Sequence, residues 1–129
     1  MKLTNWGVLD PEISDLIGKT FKSVMVNSDE LILIGDCGTF RFYHDQDCCE
    51  TVQIHDIVGD IKDLEGSPIL LAEEVKGETP SDWAEDDCTE SYTWTFYKFA
   101  TRKGYVDIRW LGESNGYYSE SVQLDWEKP

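Results

Sequence analysis

Histidine occurs only twice in this chain, at His44 and His55, and the four cysteines, Cys37, Cys48, Cys49 and Cys88, show no paired CxxC spacing. The first scarcity leaves few ways to assemble a Cys/His nucleophile, and the second removes the knuckles from which structural zinc sites are built. No nucleophile-elbow signature is present, so serine-triad chemistry has no anchor either. No apolar run approaches the roughly 20 residues that span a bilayer, and the opening MKLTNWGVLDPE has none suited to an export signal. Positive charge is also short: 11 Lys and Arg against 26 Asp and Glu give a formal charge of −15. That field repels phosphate backbones and attracts cationic surfaces, which argues against direct nucleic-acid binding. The expectation is a cytoplasmic protein, not bound to membrane, with reduced thiols.

What is present is aromatic and alternating. Hydrophobic residues make up 40% of the 129 and aromatics 12%, enough for one continuous core without obligatory staples. Pro11, Ile13, Leu16, Ile17 and Gly18 carry the marks of a short helix. Phe21 to Val26 and Leu31 to Ile34 read as strands joined by the turn formers Asn27-Ser28-Asp29. After Gly35-Asp36-Cys37-Gly38 a strand runs from Phe40 to His44, and another is expected at Val52 to His55. Asp60 to Leu64, closed by Gly66, suits one helical turn, and Ile69 to Ala72 a buried strand.

In the C-terminal third, SYTWTFYKFA, YVDIRWLGES and YYSESVQLDW predict three strands, linked by Arg102-Lys103-Gly104 and by a type I′ turn at Asn115-Gly116. Tyr92, Trp94 and Phe96 share a face, as do Val106, Ile108 and Trp110, and Val122, Leu124 and Trp126. Stacked side by side, these rows would form the aromatic wall of a core. No repeat or composition break appears, so residues 1–129 are expected to form one domain. The predicted class is α+β, dominated by a curved antiparallel β-sheet of about seven or eight strands with one or two short helices.

The stretch HDQDCCE, residues 44 to 50, concentrates residue types that bind metals or act as nucleophiles. A candidate metal or thiol site there would use His44, Asp47, Cys48 and His55, with Asp45 close by. Against it, adjacent Cys48 and Cys49 point to opposite faces of an extended segment, and the surrounding carboxylates raise a thiol pKa where catalysis needs it lowered. The plainer reading is polar packing at the end of a β-hairpin, with Asx-type turns and cysteines packed as small apolar residues. Carboxylate pairs such as Glu73/Glu74 and Asp86/Asp87 arise readily in an acidic chain, so they are weak signals for acid–base chemistry.

Between Glu73 and Glu90 eight acidic residues accompany a single lysine, together with Gly77 and Pro80, and this segment (73–90) reads as an acidic loop. Glu73, Glu74, Asp82, Glu85, Asp86 and Asp87 are the candidate partner-binding carboxylates, and Trp83 the candidate apolar anchor. The partner they imply is a protein with a basic surface, a nucleic-acid-binding host protein among the candidates, because carboxylates can stand in for phosphates. The bland alternative is a solvated face that keeps the protein soluble. No cofactor and no enzymatic activity are expected.

The blocks HDQDCCETVQIHDIVGDIKDLEGSPILLAEE and TWTFYKFATRKGYVDIRWLGESNGYYSESV resemble a family of small proteins of unknown function encoded by tailed bacteriophages and prophages, from about Leu16 to Val122. The resemblance implies an intracellular life in a bacterial host and brings no catalytic residue or cofactor with it. The resemblance implies that relatives often carry an acidic residue where this chain has His55, which weighs against a two-histidine metal site. The resemblance also favours an inhibitor of host factors, and admits a virion structural or assembly component.

Overall fold

Alternation of apolar with polar residues commits most of this chain to strands, and the strands sort into two antiparallel sheets. The computed structural model describes residues 2–3, 7–9, 11–46, 49–77, 91–114 and 119–129. Among them run β1 (Lys2–Leu3), β2 (Gly7–Leu9), β3 (Phe21–Val26), β4 (Leu31–Gly35), β5 (Gly38–Tyr43), β6 (Thr51–Val58), β7 (Leu71–Lys76), β8 (Ser91–Thr101), β9 (Gly104–Ser114) and β10 (Gln123–Glu127). One sheet has the order β1-β2-β10-β5-β4-β3, the other β6-β9-β8-β7. Leaving aside the very short β1 and β2, each sheet contributes four strands, so the expected number holds roughly. The single curved sheet does not hold, and the domain is mostly β: the helical segments are two 3₁₀ turns, Ile13–Leu16 and Ile61–Leu64, among the described residues. A sheet with one apolar face has to bury it, and two such sheets can each cover the other.

Turn chemistry matches the local expectations. Asn27 Oδ1 accepts from the backbone amides of Asp29 at 2.8 Å and Glu30 at 3.0 Å, closing β3 onto β4. Gly35 pairs with Gly38 across the next turn, and Gly38 has φ +113°, with its absent Cβ only 2.2 Å from the Glu127 carbonyl oxygen. A side chain there would collide with the C-terminal strand.

The register decides which rows face inward. In the first sheet Val24, Leu33, Phe40 and Trp126 share a face, and Phe40 stacks on Trp126 at 4.7 Å. In the second sheet Tyr97 and Phe99 stand opposite Ile108 and Val106, next to Trp110. The sheets meet where the Phe42 ring lies 4.7 Å from Tyr97 and 6.1 Å from Phe99. Two sequence expectations are corrected here. Trp94 pairs with Leu111 and Phe96 with Arg109, on the face away from Val106, Ile108 and Trp110, so Tyr92, Trp94 and Phe96 do not join that row. Aromatics occupy both parities of SYTWTFYKFA, so alternation could not choose between them and cross-strand pairing did. Further, β10 pairs with β5 and β2 in the other sheet, so no hairpin joins it to β9, and Val122, Leu124 and Trp126 reach the core from the opposite side. Asn115 and Gly116 lie outside the described residues.

Segment 65–69 laces β3 to the second sheet's side of the domain: Gly66 N–H donates to Phe21 O at 2.8 Å and Ile69 N–H to Lys19 O at 2.9 Å. Where the β3 register shifts between Phe21 and Ser23, the Val24 amide donates to Glu65 Oε2 at 2.8 Å. That bond, reinforced by Lys62, holds the Glu65 carboxyl below the ordinary value of 4.5. A depressed carboxylate contributes stability that is complete above the ordinary value and is lost as pH falls through the folded value. Glu65→Gln should therefore lower stability at neutral pH and flatten the acid limb of the stability curve from about pH 5 downward. Urea midpoints measured across that range check it. Phe42→Ala should cost about 3–5 kcal/mol in urea unfolding, because Phe42 is fully buried between the sheets, whereas exposed Leu70→Ala should stay within about 0.5 kcal/mol of the parent.

Candidate functional site

The chain passes from the first sheet to the second between Tyr43 and Thr51 and returns between Ser114 and Gln123. HDQDCCE is thus a crossing between sheets and not the end of a hairpin. The reason is that β4 and β10 occupy both edges of β5, leaving β6 to pair with β9.

The two crossings meet at His44. Its Nδ1 lies 2.7 Å from the Ser121 carbonyl oxygen and its Nε2 2.8 Å from Glu50 Oε2. A carbonyl oxygen only accepts, so Nδ1 carries a proton and donates it. The contact between Nε2 and the carboxyl needs one further proton, held by either partner, and the pair is net neutral in both arrangements. That matters because the side chains are 4% and 0% exposed, where an unpaired charge would be costly. Gln46 completes the set, its Nε2 donating to the Glu50 carbonyl oxygen and, at 3.3 Å, to Glu50 Oε1.

The return segment approaches β9 closely because residue 112 is glycine: a Cβ there would lie 2.5 Å from the Glu120 carbonyl oxygen. With that approach, Glu120 accepts from the hydroxyls of Thr93 at 2.8 Å and Ser114 at 2.5 Å. The crossings border an open cavity of about 310 Å³, at the small end of ligand-binding sites. Asp45, Gln46, Ser119, Ser121 and Gln123 line it together with the His44–Glu50 pair. Asp45 is anchored by its amide, which donates to Gln123 Oε1 at 2.6 Å, and the hydroxyls of Ser119 and Ser121 share a 2.6 Å hydrogen bond. Next along the chain, the Tyr43 hydroxyl donates to Asp125 Oδ2 at 2.8 Å; burial first, then Asp125, pushes its pKa up to about 12.

The predicted metal set is not gathered here. His55 lies on the outward side of β6, edge-on to Trp94 at 5.0 Å, and Asp47 and Cys48 lie outside the described residues. Among the described residues no group of three or more His, Cys, Asp and Glu side chains is arranged to hold a metal. Both His44 nitrogens are engaged within the protein. Cys37 is a free thiol with its pKa raised by burial, but Cys49 is disulfide-bonded, which corrects the expectation of reduced thiols. Sulfurs join when a fold brings them together, and spacing arguments do not see that.

The acidic segment is also revised. Glu73 and Glu74 lie in β7, an edge strand, and not in a loop. Glu73 is exposed and pairs across the ladder with Lys98. Glu74 accepts the Tyr97 hydroxyl and sits 3.3 Å from Lys76 Nζ, so its charge is partly spent within the protein; burial, then Glu74, raises the Tyr97 pKa. Their acidity masked a strand pattern. Asp82, Trp83, Glu85, Asp86 and Asp87 lie outside the described residues. Glu50, Gln46, Ser119, Ser121 and Gln123 were missed as a site because His44 and Ser121 stand 77 positions apart, beyond the reach of any motif.

Fold and site define a two-sheet β protein with a polar cavity at the junction of its sheet crossings. A family model, the domain of unknown function DUF7448, matches residues 14–124, and the chain belongs to that family. No curated protein and no solved structure matches it. No helix among the described residues is long and apolar enough to cross a membrane.

If the His44–Glu50 pair is the clamp between crossings, His44→Ala strands a buried carboxylate and should cost about 3–5 kcal/mol in urea unfolding. The double variant His44→Ala/Glu50→Ala should cost clearly less than the sum of the single changes. Additive losses would show that the two side chains do not act as a unit.

Proposed function

We propose that this is a non-enzymatic, phage-type binding protein that docks its acidic surface on a basic surface of a host or phage protein in the bacterial cytoplasm. The observation that carries this reading is how the chain's cations are already spent. Lys22 pairs with Asp36, Arg41 with Glu30, Lys62 with Glu65, Lys76 with Glu74 and Arg109 with Asp56. These pairs use five of the eleven Lys and Arg, and the other six face 21 remaining carboxylates, so the net charge of −15 stands. An uncompensated field of this size speeds encounter with a basic partner and disfavours acidic ones. A nucleic-acid-binding host protein, including a defence enzyme, presents a complementary surface. Glu73 on the edge strand and the acidic run from Asp82 to Asp87 are the carboxylates assigned to the contact.

Protein immobilised at low salt should retain proteins enriched in Lys and Arg and release them well below molar salt, since exposed charges are screened over about 10 Å at 0.1 M. A variant carrying Glu73→Gln, Asp82→Asn, Glu85→Gln, Asp86→Asn and Asp87→Asn should retain markedly less. Retention of proteins no more basic than the input, or retention that survives molar salt, would refute acidic docking.

A further inference from the structure

We propose that the cavity between the two crossings is a socket for a guanidinium group, supplied by an arginine side chain of the basic partner. The assignment rests on the docking reading above and names its specific contact. The cavity's walls favour a cation over other ligand classes. Their carboxylate, amide and hydroxyl groups, set among apolar surface of similar extent, would go unpaired against a wholly apolar ligand. Among the described residues no lysine or arginine lines the cavity, and the His44–Glu50 pair neutralises itself, so an anion finds no counter-charge there.

A cation does find one. Asp45 is fixed at its backbone by the bond to Gln123 Oε1, and its carboxylate makes no hydrogen bond or ion pair with the described residues. Asp125, at the Tyr43 hydroxyl, adds to the negative field, and both aspartates disfavour the Tyr43 phenolate. The shape of the donor group follows from the acceptors. Asp45 at one wall and the paired Ser119 and Ser121 hydroxyls at another call for several N–H donors in one rigid plane, which a guanidinium has and an ammonium lacks. The protein already pairs a guanidinium with a carboxylate on its own surface: Arg41 bonds Glu30 at 2.8 Å, lying 4.0 Å over the Tyr43 ring.

The test uses the intact, isotope-labelled chain and a neutral peptide containing a single central arginine, followed by amide chemical shifts. Saturable shifts concentrated at residues 44–46 and 119–123 are expected. Asp45→Asn should weaken binding about tenfold or more, the loss of one charge-assisted contact, while Asp36→Asn, at the far end of β5 from the cavity, leaves it unchanged. The peptide's lysine counterpart should bind more weakly. Shifts spread evenly over the acidic surface, equal binding of the lysine peptide, or an unaffected Asp45→Asn would overturn the socket. Binding of free L-arginine without binding of the peptide would overturn its assignment to a partner protein. Peptide binding without retention of basic proteins would uphold the socket and remove the docking function, and retention without peptide binding would overturn the socket alone.

Discussion

Phe42 meets Tyr97 and Phe99 across the interior, and that aromatic contact between sheets is the constraint from which the remaining geometry follows. Neither sheet can leave its inner row in water, so the chain has to place strands on both sides of one core. A chain that alternates between sheets must cross from one to the other, and the segments that cross carry backbone amides and carbonyls away from the ladders. Those groups need partners. His44 takes the Ser121 carbonyl, Gln123 takes the Asp45 amide, and Gln46 takes the Glu50 carbonyl, so the polar side chains of the crossings are first of all the answer to a hydrogen-bonding demand.

The same demand occupies both ring nitrogens of the buried histidine beside the glutamate. An active base needs a nitrogen facing substrate, and here one nitrogen meets a carbonyl and the other a carboxyl. What the arrangement leaves to the outside is Asp45, whose backbone is committed and whose carboxylate bonds none of the described residues. The cavity is therefore an open recess with polar side chains and an acidic lip, set in a molecule whose excess charge is negative. That combination is the basis of the proposed recognition of a positively charged group.

Local features were legible where short-range physics sets them. The Asn27-Ser28-Asp29 turn, the Gly35 to Gly38 turn, the two helical turns near Ile13 and Ile61, and the β8–β9 hairpin follow from turn chemistry and periodicity over a few residues. Where both faces of a strand carried aromatics, as from Tyr92 to Phe99, periodicity was silent about which face turned inward. Where acidic residues filled a strand, as at Glu73 and Glu74, charge disguised it. Around His44 the sequence reads as a hairpin end, because neighbours in sequence are usually neighbours in a sheet.

By itself the amino-acid order determined the β character, the turn positions, the aromatic core composition and the sign of the field, since each depends on residue type or on contacts within about ten positions. Tertiary structure alone decided that β5 and β6 belong to different sheets, that Tyr97 and Phe99 and not Trp94 face the core, and that Ser121 and Gln123 come to His44 and Asp45. Those are pairings between segments tens of residues apart, chosen by competition among strands for edges and for burial, and no local pattern records who wins it.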